Sequence, residues 1–176
     1  MNEVLYQQLI PADYAEYRRI RLDCLKQYPD NFGGTHEEEL TADSLKLAGA
    51  IKAADAHNFV FGAFTLERRL IGICGVITSP GTKSRHRCEI VQLFVDPSYN
   101  GYGIGKKLLL LSLDKAFESG QIELIILSVV SVNEKAIALY RKFGFKEYGR
   151  LERYFLSGAE YFTQTFLYLA KKKQPG

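Results

Sequence analysis

The 176-residue sequence predicts one α+β domain, a mixed and mostly antiparallel central sheet of about six to seven strands flanked by about four helices. Three observations carry that expectation. An apolar stripe at helical spacing, formed by Tyr17, Ile20, Cys24 and Leu25, marks an early helix. Three β-branched and aromatic runs then follow in succession, Asn58–Leu66, Leu70–Thr78 and Arg87–Val95, the first two joined by the hairpin-length Glu67-Arg68-Arg69. The third run enters a glycine-punctuated loop and then a long apolar helix.

In chain order, Val4–Ile10 reads as an edge strand ending at Pro11, and Asp13 as the cap of a helix through about Gln27, with Arg18, Arg19 and Lys26 facing water. The breaker cluster from Tyr28 to Gly34 reads as loop. A second helix is expected over Ala42–Ala54, with Leu45, Leu47, Ala48 and Ile51 as its contacts. After the three strands, Ile104 to Ser119 is a helix stopped by Gly120, and Ile122–Val130 is a central strand. Asn133 caps a short helix, Glu134–Phe143, closed by Gly144. Phe145–Phe155 and Tyr161–Ala170 are the last two strands.

Composition narrows the function classes. The hydrophobic fraction of 47% suits one soluble globular core. Apolar runs such as Leu108–Leu111 and Leu124–Leu127 are too short to cross a bilayer, and the N-terminus lacks the features of a signal peptide. A cytoplasmic protein is expected, with neither membrane nor nucleic acid as partner, since a net charge of +3 is too small to imply the latter. Lys171-Lys172-Lys173 reads as a frayed, solvated tail. Cys24, Cys74 and Cys88 are widely spaced and sit in apolar contexts, as buried thiols and not as a disulfide framework or metal site. His36, His57 and His86 read as surface residues. Self-association into a homodimer stays open.

The chemistry centres on Glu89 to Ser119. Asp96-Pro97 ends the strand Ile90–Val95, which only Gln92 interrupts with a polar side chain. Gly101, Gly103 and Gly105 then precede Lys106-Lys107 and the helix. Glycines there let backbone N–H groups converge, and the helix dipole adds positive potential, so the site suits an anion such as a pyrophosphate. A P-loop would need four residues between its first Gly and the Gly-Lys pair, whereas Gly101 and Gly105 enclose three; the dinucleotide fingerprint fails on spacing as well.

The stretch Asn100-Gly101-Tyr102-Gly103-Ile104-Gly105 instead resembles the acetyl-CoA loop of the GNAT acetyltransferases, Arg/Gln-x-x-Gly-x-Gly/Ala, except that Asn100 replaces Arg or Gln. Asn133 through Phe145 resembles the same family's N-x-x-A-x-x-x-Y-x-x-x-G-F segment at every fixed position, through Asn133, Ala136, Tyr140, Gly144 and Phe145. The resemblance implies a single N-acetyltransferase domain over 1–176, with its cofactor half at about 87–145, using acetyl-CoA and no metal. It also implies that the cosubstrate's pantetheine arm runs along Leu93, Phe94 and Val95, and that its pyrophosphate rests on the backbone of Asn100, Gly101, Tyr102, Gly103, Ile104, Gly105 and Lys106. Asn133 and Ala136 would meet the arm, and Tyr140 would be the general acid. Glu89, the lone carboxylate of its strand, is the candidate general base, with a chain of waters as the alternative.

The implied function is transfer of an acetyl group to a primary amine, of a small molecule or of a peptide, by direct attack. Cys74 and Cys88 are the rival nucleophiles, and His86 is the histidine near Cys88. A non-catalytic acyl-CoA sensor, favoured by Asn100, and a transferase for longer acyl-CoA are the alternatives. The acceptor amine is not readable; the resemblance implies that the first helix with its following loop, Tyr28 to Glu39, and the hairpin near Leu156–Tyr161 flank its groove. Glu37-Glu38-Glu39 could attract a cation but reads first as a solvated face.

Overall fold

Seven strands hydrogen-bond in the order β1-β2-β3-β4-β5-β7-β6, and every pairing is antiparallel except β4 with β5. The computed structural model describes residues 3–171. Met1 and Asn2 of the N-terminal segment, and Lys172 and Lys173 of the basic run, lie outside the described residues.

The strands are β1 (Leu5–Gln8), β2 (Phe59–Phe64), β3 (Leu70–Thr78), β4 (Arg87–Val95), β5 (Leu124–Val130), β6 (Lys146–Ser157) and β7 (Glu160–Ala170). Among the described residues five α-helices cover the sheet, one more than expected: α1 (Tyr14–Gln27), α2 (His36–Thr41), α3 (Ala48–Ala53), α4 (Ile104–Glu118) and α5 (Glu134–Lys142). Strand alternation divides the core between two faces. On one, Phe59, Ala63, Ile71 and Cys74 pack with Ile104, Leu108 and Leu113 of α4 and with Ile137 and Tyr140 of α5. On the other, Val60, Phe64, Leu70 and Ile73 pack with Tyr17 and Ile20 of α1 and with Ala48 and Ile51 of α3. Burial of a leucine such as Leu108, fully enclosed beneath the sheet, contributes roughly 1.5–3 kcal/mol.

Several expectations are corrected. The helix expected over Ala42–Ala54 survives only as α3, ended by Ala54 in the left-handed region at φ 49°. The expected loop before it holds α2, started by Thr35, whose Oγ1 accepts from Glu38 N while Glu38 Oε2 accepts from Thr35 N. That reciprocal pair satisfies two backbone donors at once and makes a six-residue helix worthwhile. His36 therefore opens a helix. Asp13 does not cap α1 with its side chain, because its carboxylate already accepts from Ile10 N, Gln7 Nε2 and Arg68 Nη2. Arg18 and Arg19 lie half-buried and donate to backbone carbonyls of Leu40 and Leu70. Lys171 is tied down, its amide to Glu123 O and its Nζ to Phe117 O.

β4 carries the feature that positions the site. It pairs with β5 only over Arg87, Cys88 and Glu89. Beyond Glu89 the two strands part, and the backbone edges that face each other across the gap are left for another partner. On its other edge, pairing with β3 slips by one residue between Ile73 and Gly75, opposite Gln92 and Leu93. Gln92 is the extra residue of this bulge, with φ at 55°.

Candidate active site

A cavity of about 540 Å³ opens where β4 and β5 part. One wall is β4 itself, Glu89 through Leu93, and the opposite one is Ser128 and Val129 of β5. α5 supplies Asn133, Ala136 and Tyr140, which helical spacing stacks on one side. Asn133 holds the start of that helix, its Oδ1 accepting from Ala136 N at 3.2 Å.

Tyr140 is 7% exposed and stacks edge-on against Phe145, ring centroids 5.7 Å apart. Burial, with a smaller contribution from nearby Cys74, pushes its phenol above the ordinary tyrosine value, and no side-chain hydrogen bond offsets that. The hydroxyl therefore keeps its proton and remains a donor.

The glycine loop lies beyond the cavity, between β4 and α4. Gly101 and Gly103 hold φ at 85° and 73° with open space around each, and Gly103 is the N-terminal cap of α4. A side chain at either would meet a steric cost from its own backbone. Gly105, by contrast, lies inside the helix and only packs on Val95, so the converging surface rests on two glycines and not three. The first helical N–H groups, from Ile104 onward, are without intrahelical partners, as at any helix start, and the dipole adds positive potential there. A pyrophosphate fits this arrangement.

The expected site residues thus fall into two groups. Glu89, Leu93, Asn133, Ala136 and Tyr140 meet at the cavity. Phe94, Val95 and Asn100 through Lys106 do not line it; they lie beyond it, at the end of β4 and in the turn into α4, with Tyr102 exposed and the Phe94 and Ile104 side chains buried. The Phe94 side chain packs on the opposite face of the sheet, against Tyr28, so only its backbone is available to a ligand on the α5 side.

The acceptor-side expectations need adjusting. Asn31 through Gly34 reach the cavity, but the hairpin near Leu156–Tyr161 does not; Tyr154 and Phe155, just before it, do. The sequence reading missed Arg21, Lys46, Gln92 and Gln164, all on the cavity wall. Arg21 had a visible signal: it lies four residues after Tyr17, on the apolar stripe of α1, where an arginine needs a buried partner. Glu39 is that partner, receiving Arg21 Nε at 2.9 Å and Nη2 at 2.6 Å. Of the three glutamates read as a solvated face, Glu38 is therefore used in a cap and Glu39 in a buried ion pair.

The cysteines are poor nucleophiles here. All three are free and buried, and burial pushes each thiol up to about 12.

A sheet that parts beside a bulge, followed by a left-handed glycine turn into a helix, defines a GNAT-like α+β domain. Residues 15–145 match the family model described as the acetyltransferase (GNAT) family, and the chain belongs to that family. Among curated relatives, the N-alpha-acetyltransferase RimI of Mycobacterium tuberculosis is 38% identical over 111 residues, 62% of this chain and 66% of that protein. The spermidine N(1)-acetyltransferase of Escherichia coli K12 is 31% identical over 121 residues, 62% of this chain and 65% of that one. The chain thus spans less than two thirds of the length of these relatives. Among solved structures, that of yncA from Salmonella typhimurium with its cofactor acetyl-CoA superposes with a TM-score of 0.83 at 18% identity, covering 99% of this chain and 98% of that one. This last likeness speaks for the fold alone. No helix among the described residues is long and apolar enough to cross a membrane.

Proposed function

We propose that the protein transfers the acetyl group of acetyl-CoA to a primary amine by direct attack. The observation that carries this reading is the parting of β4 from β5 beyond Glu89, which leaves a cavity walled by both strands and by Tyr140 of α5. A pantetheine arm, which is an extended chain with amide groups, suits unpaired strand edges at Leu93, Phe94 and Val95. The backbone of Asn100 through Lys106 would take the pyrophosphate. Asn100 brings no charge, so Lys106 and Lys107 at the start of α4 would supply it.

In the proposed step the amine nitrogen attacks the thioester carbon, the C–N bond forms, and the C–S bond breaks. A β4 backbone N–H beside the bulge would polarise the carbonyl oxygen. Glu89, at the cavity wall, would take the proton lost by the amine, directly or through water. Tyr140 would give a proton to the leaving thiolate. Its phenol is the weaker acid of the two in water, but burial also raises the proton affinity of a thiolate leaving into the same cavity. A cytoplasmic location accords with the cosubstrate, and a homodimer is compatible with the exposed Tyr148, Leu151 and Leu156 of β6.

Thiol release measured with acetyl-CoA and a panel of amines tests the reading. One thiol freed per amine acetylated is the expected result. Binding of acetyl-CoA with no release for any amine would leave a non-catalytic sensor, the alternative that Asn100 favours.

A further inference from the structure

The acceptor half of the cavity carries an unusual charge arrangement for a site that receives an amine. Among the described residues its charged side chains are Arg21, Lys46, Glu39 and Glu89. Arg21 and Glu39 cancel one another, Nε bonding both carboxylate oxygens and Nη2 bonding Oε1, at side-chain exposures of 5% and 17%. This pair is held in place by its surroundings: Phe32 stacks on the guanidinium at 5.1 Å, and a Cβ at Gly34 would come within 2.8 Å of Glu39 Oε1. What remains is one carboxylate on β4, Glu89, beside the expected reaction point, and one exposed cation between α2 and α3, Lys46.

Two buried polar groups add to this. Arg21 Nη1 has no hydrogen-bond partner, and neither has Gln164 Oε1 of β7, although both side chains line the cavity and are about 95% buried. A guanidinium N–H left unpaired in the interior is costly unless a ligand completes it. A polycation would find one free carboxylate here and a lysine opposing its distal charge. An amine that also bears an anionic group would find complementary charges at both ends.

We infer that the acceptor is an amine carrying a carboxylate, as in an amino acid, with Lys46 and the free edge of Arg21 receiving the carboxylate while Glu89 faces the amine. This rests on the acetyl-transfer reading above and specifies its second substrate. The roles follow from the side chains: Arg21 supplies a fixed planar donor, and Lys46 a flexible charge that meets the incoming group.

The test is steady-state thiol release by the full chain with acetyl-CoA, using the common amino acids, their α-amides, and spermidine as acceptors. An α-amide has the lower amine pKa and hence more of the reactive free base, so a carboxylate preference would appear against that bias. At least one amino acid should show a kcat/KM tenfold or more above its own amide and above spermidine. Lys46→Glu should cut that ratio at least tenfold through KM and shift preference toward spermidine, and Lys46→Arg should restore it. An amide or spermidine preferred over every amino acid, or a ratio unmoved in Lys46→Glu, overturns the inference while leaving acetyl transfer intact. Absence of thiol release with every acceptor overturns the acetyl-transfer reading, and this inference with it.

Discussion

The hydroxyl of Tyr17 donates to Oε1 of Gln92 at 2.8 Å, tying the first helix to the one residue of β4 that holds a positive φ. Tyr17 is wholly buried, and Gln92 is the bulge residue beside which the cavity opens. A bond from α1 to the sheet thus helps to hold the irregularity on which the site depends.

Removing that bond should loosen the bulge without unfolding the protein. Tyr17→Phe leaves a part-buried acceptor unpaired and should cost about 1–3 kcal/mol. At roughly 2–4 °C per kcal/mol for a domain of this size, the melting temperature should fall by several degrees. Gln92→Gly should be tolerated better than Gln92→Val, since a β-branched residue at φ 55° carries a steric cost that glycine does not. Scanning calorimetry of the three variants checks both orders.

The same tyrosine sets an alkaline limit. Burial raises its phenol to about 12, against roughly 10 in the unfolded chain. The folded state therefore binds more protons than the unfolded one between these values, and stability present below pH ~10 should be lost as pH rises through about 12. The buried thiols, raised to about 12 from a free value near 8.5, should start the decline earlier. Denaturant midpoints at pH 8, 10 and 11 should fall in that order, and the drop above pH 10 should be shallower in Tyr17→Phe.

Tyr140→Phe keeps the ring that packs on Phe145 and removes only the hydroxyl. Turnover should drop at least tenfold, about 1.4 kcal/mol in the barrier, with acetyl-CoA affinity nearly unchanged. Equal losses in both would make Tyr140 a packing residue.

Direct attack predicts no acetylated protein. Intact-mass measurement after mixing with acetyl-CoA alone should show the unmodified chain, because Cys74 and Cys88 are buried and hold their protons at neutral pH. A stoichiometric adduct on either cysteine would require a two-step mechanism.

Much of this site was readable in the chain because its parts are local. The glycines before α4 and the Asn133 to Phe145 segment each lie on one continuous stretch, so spacing alone places them. β3 and β4 matched their expected bounds for the same reason, since each is an unbroken apolar run between clear turns. What escaped was non-local. Arg21 and Glu39 are 18 residues apart, and although an arginine on the apolar stripe of α1 calls for a buried partner, nothing local says that Glu39 is that partner. Lys46, in the connection between α2 and α3, and Gln164 of β7 reach the cavity only through tertiary packing. Two misses were legible all the same. Thr35-x-x-Glu38 is a capping box that starts α2, and the lone polar Gln92 in an apolar strand marked the bulge.

The central claim, that the surface from the parted β4 to the start of α4 holds acetyl-CoA, is tested most directly by calorimetric titration of the purified protein, with ATP and NADH as controls. The account predicts micromolar binding, about −8 kcal/mol, for acetyl-CoA alone, lost in Gly103→Val because a β-branched side chain is strained at φ 73° and crowds the anion's approach. Equal affinity for ATP, or unchanged acetyl-CoA binding in Gly103→Val, would contradict it.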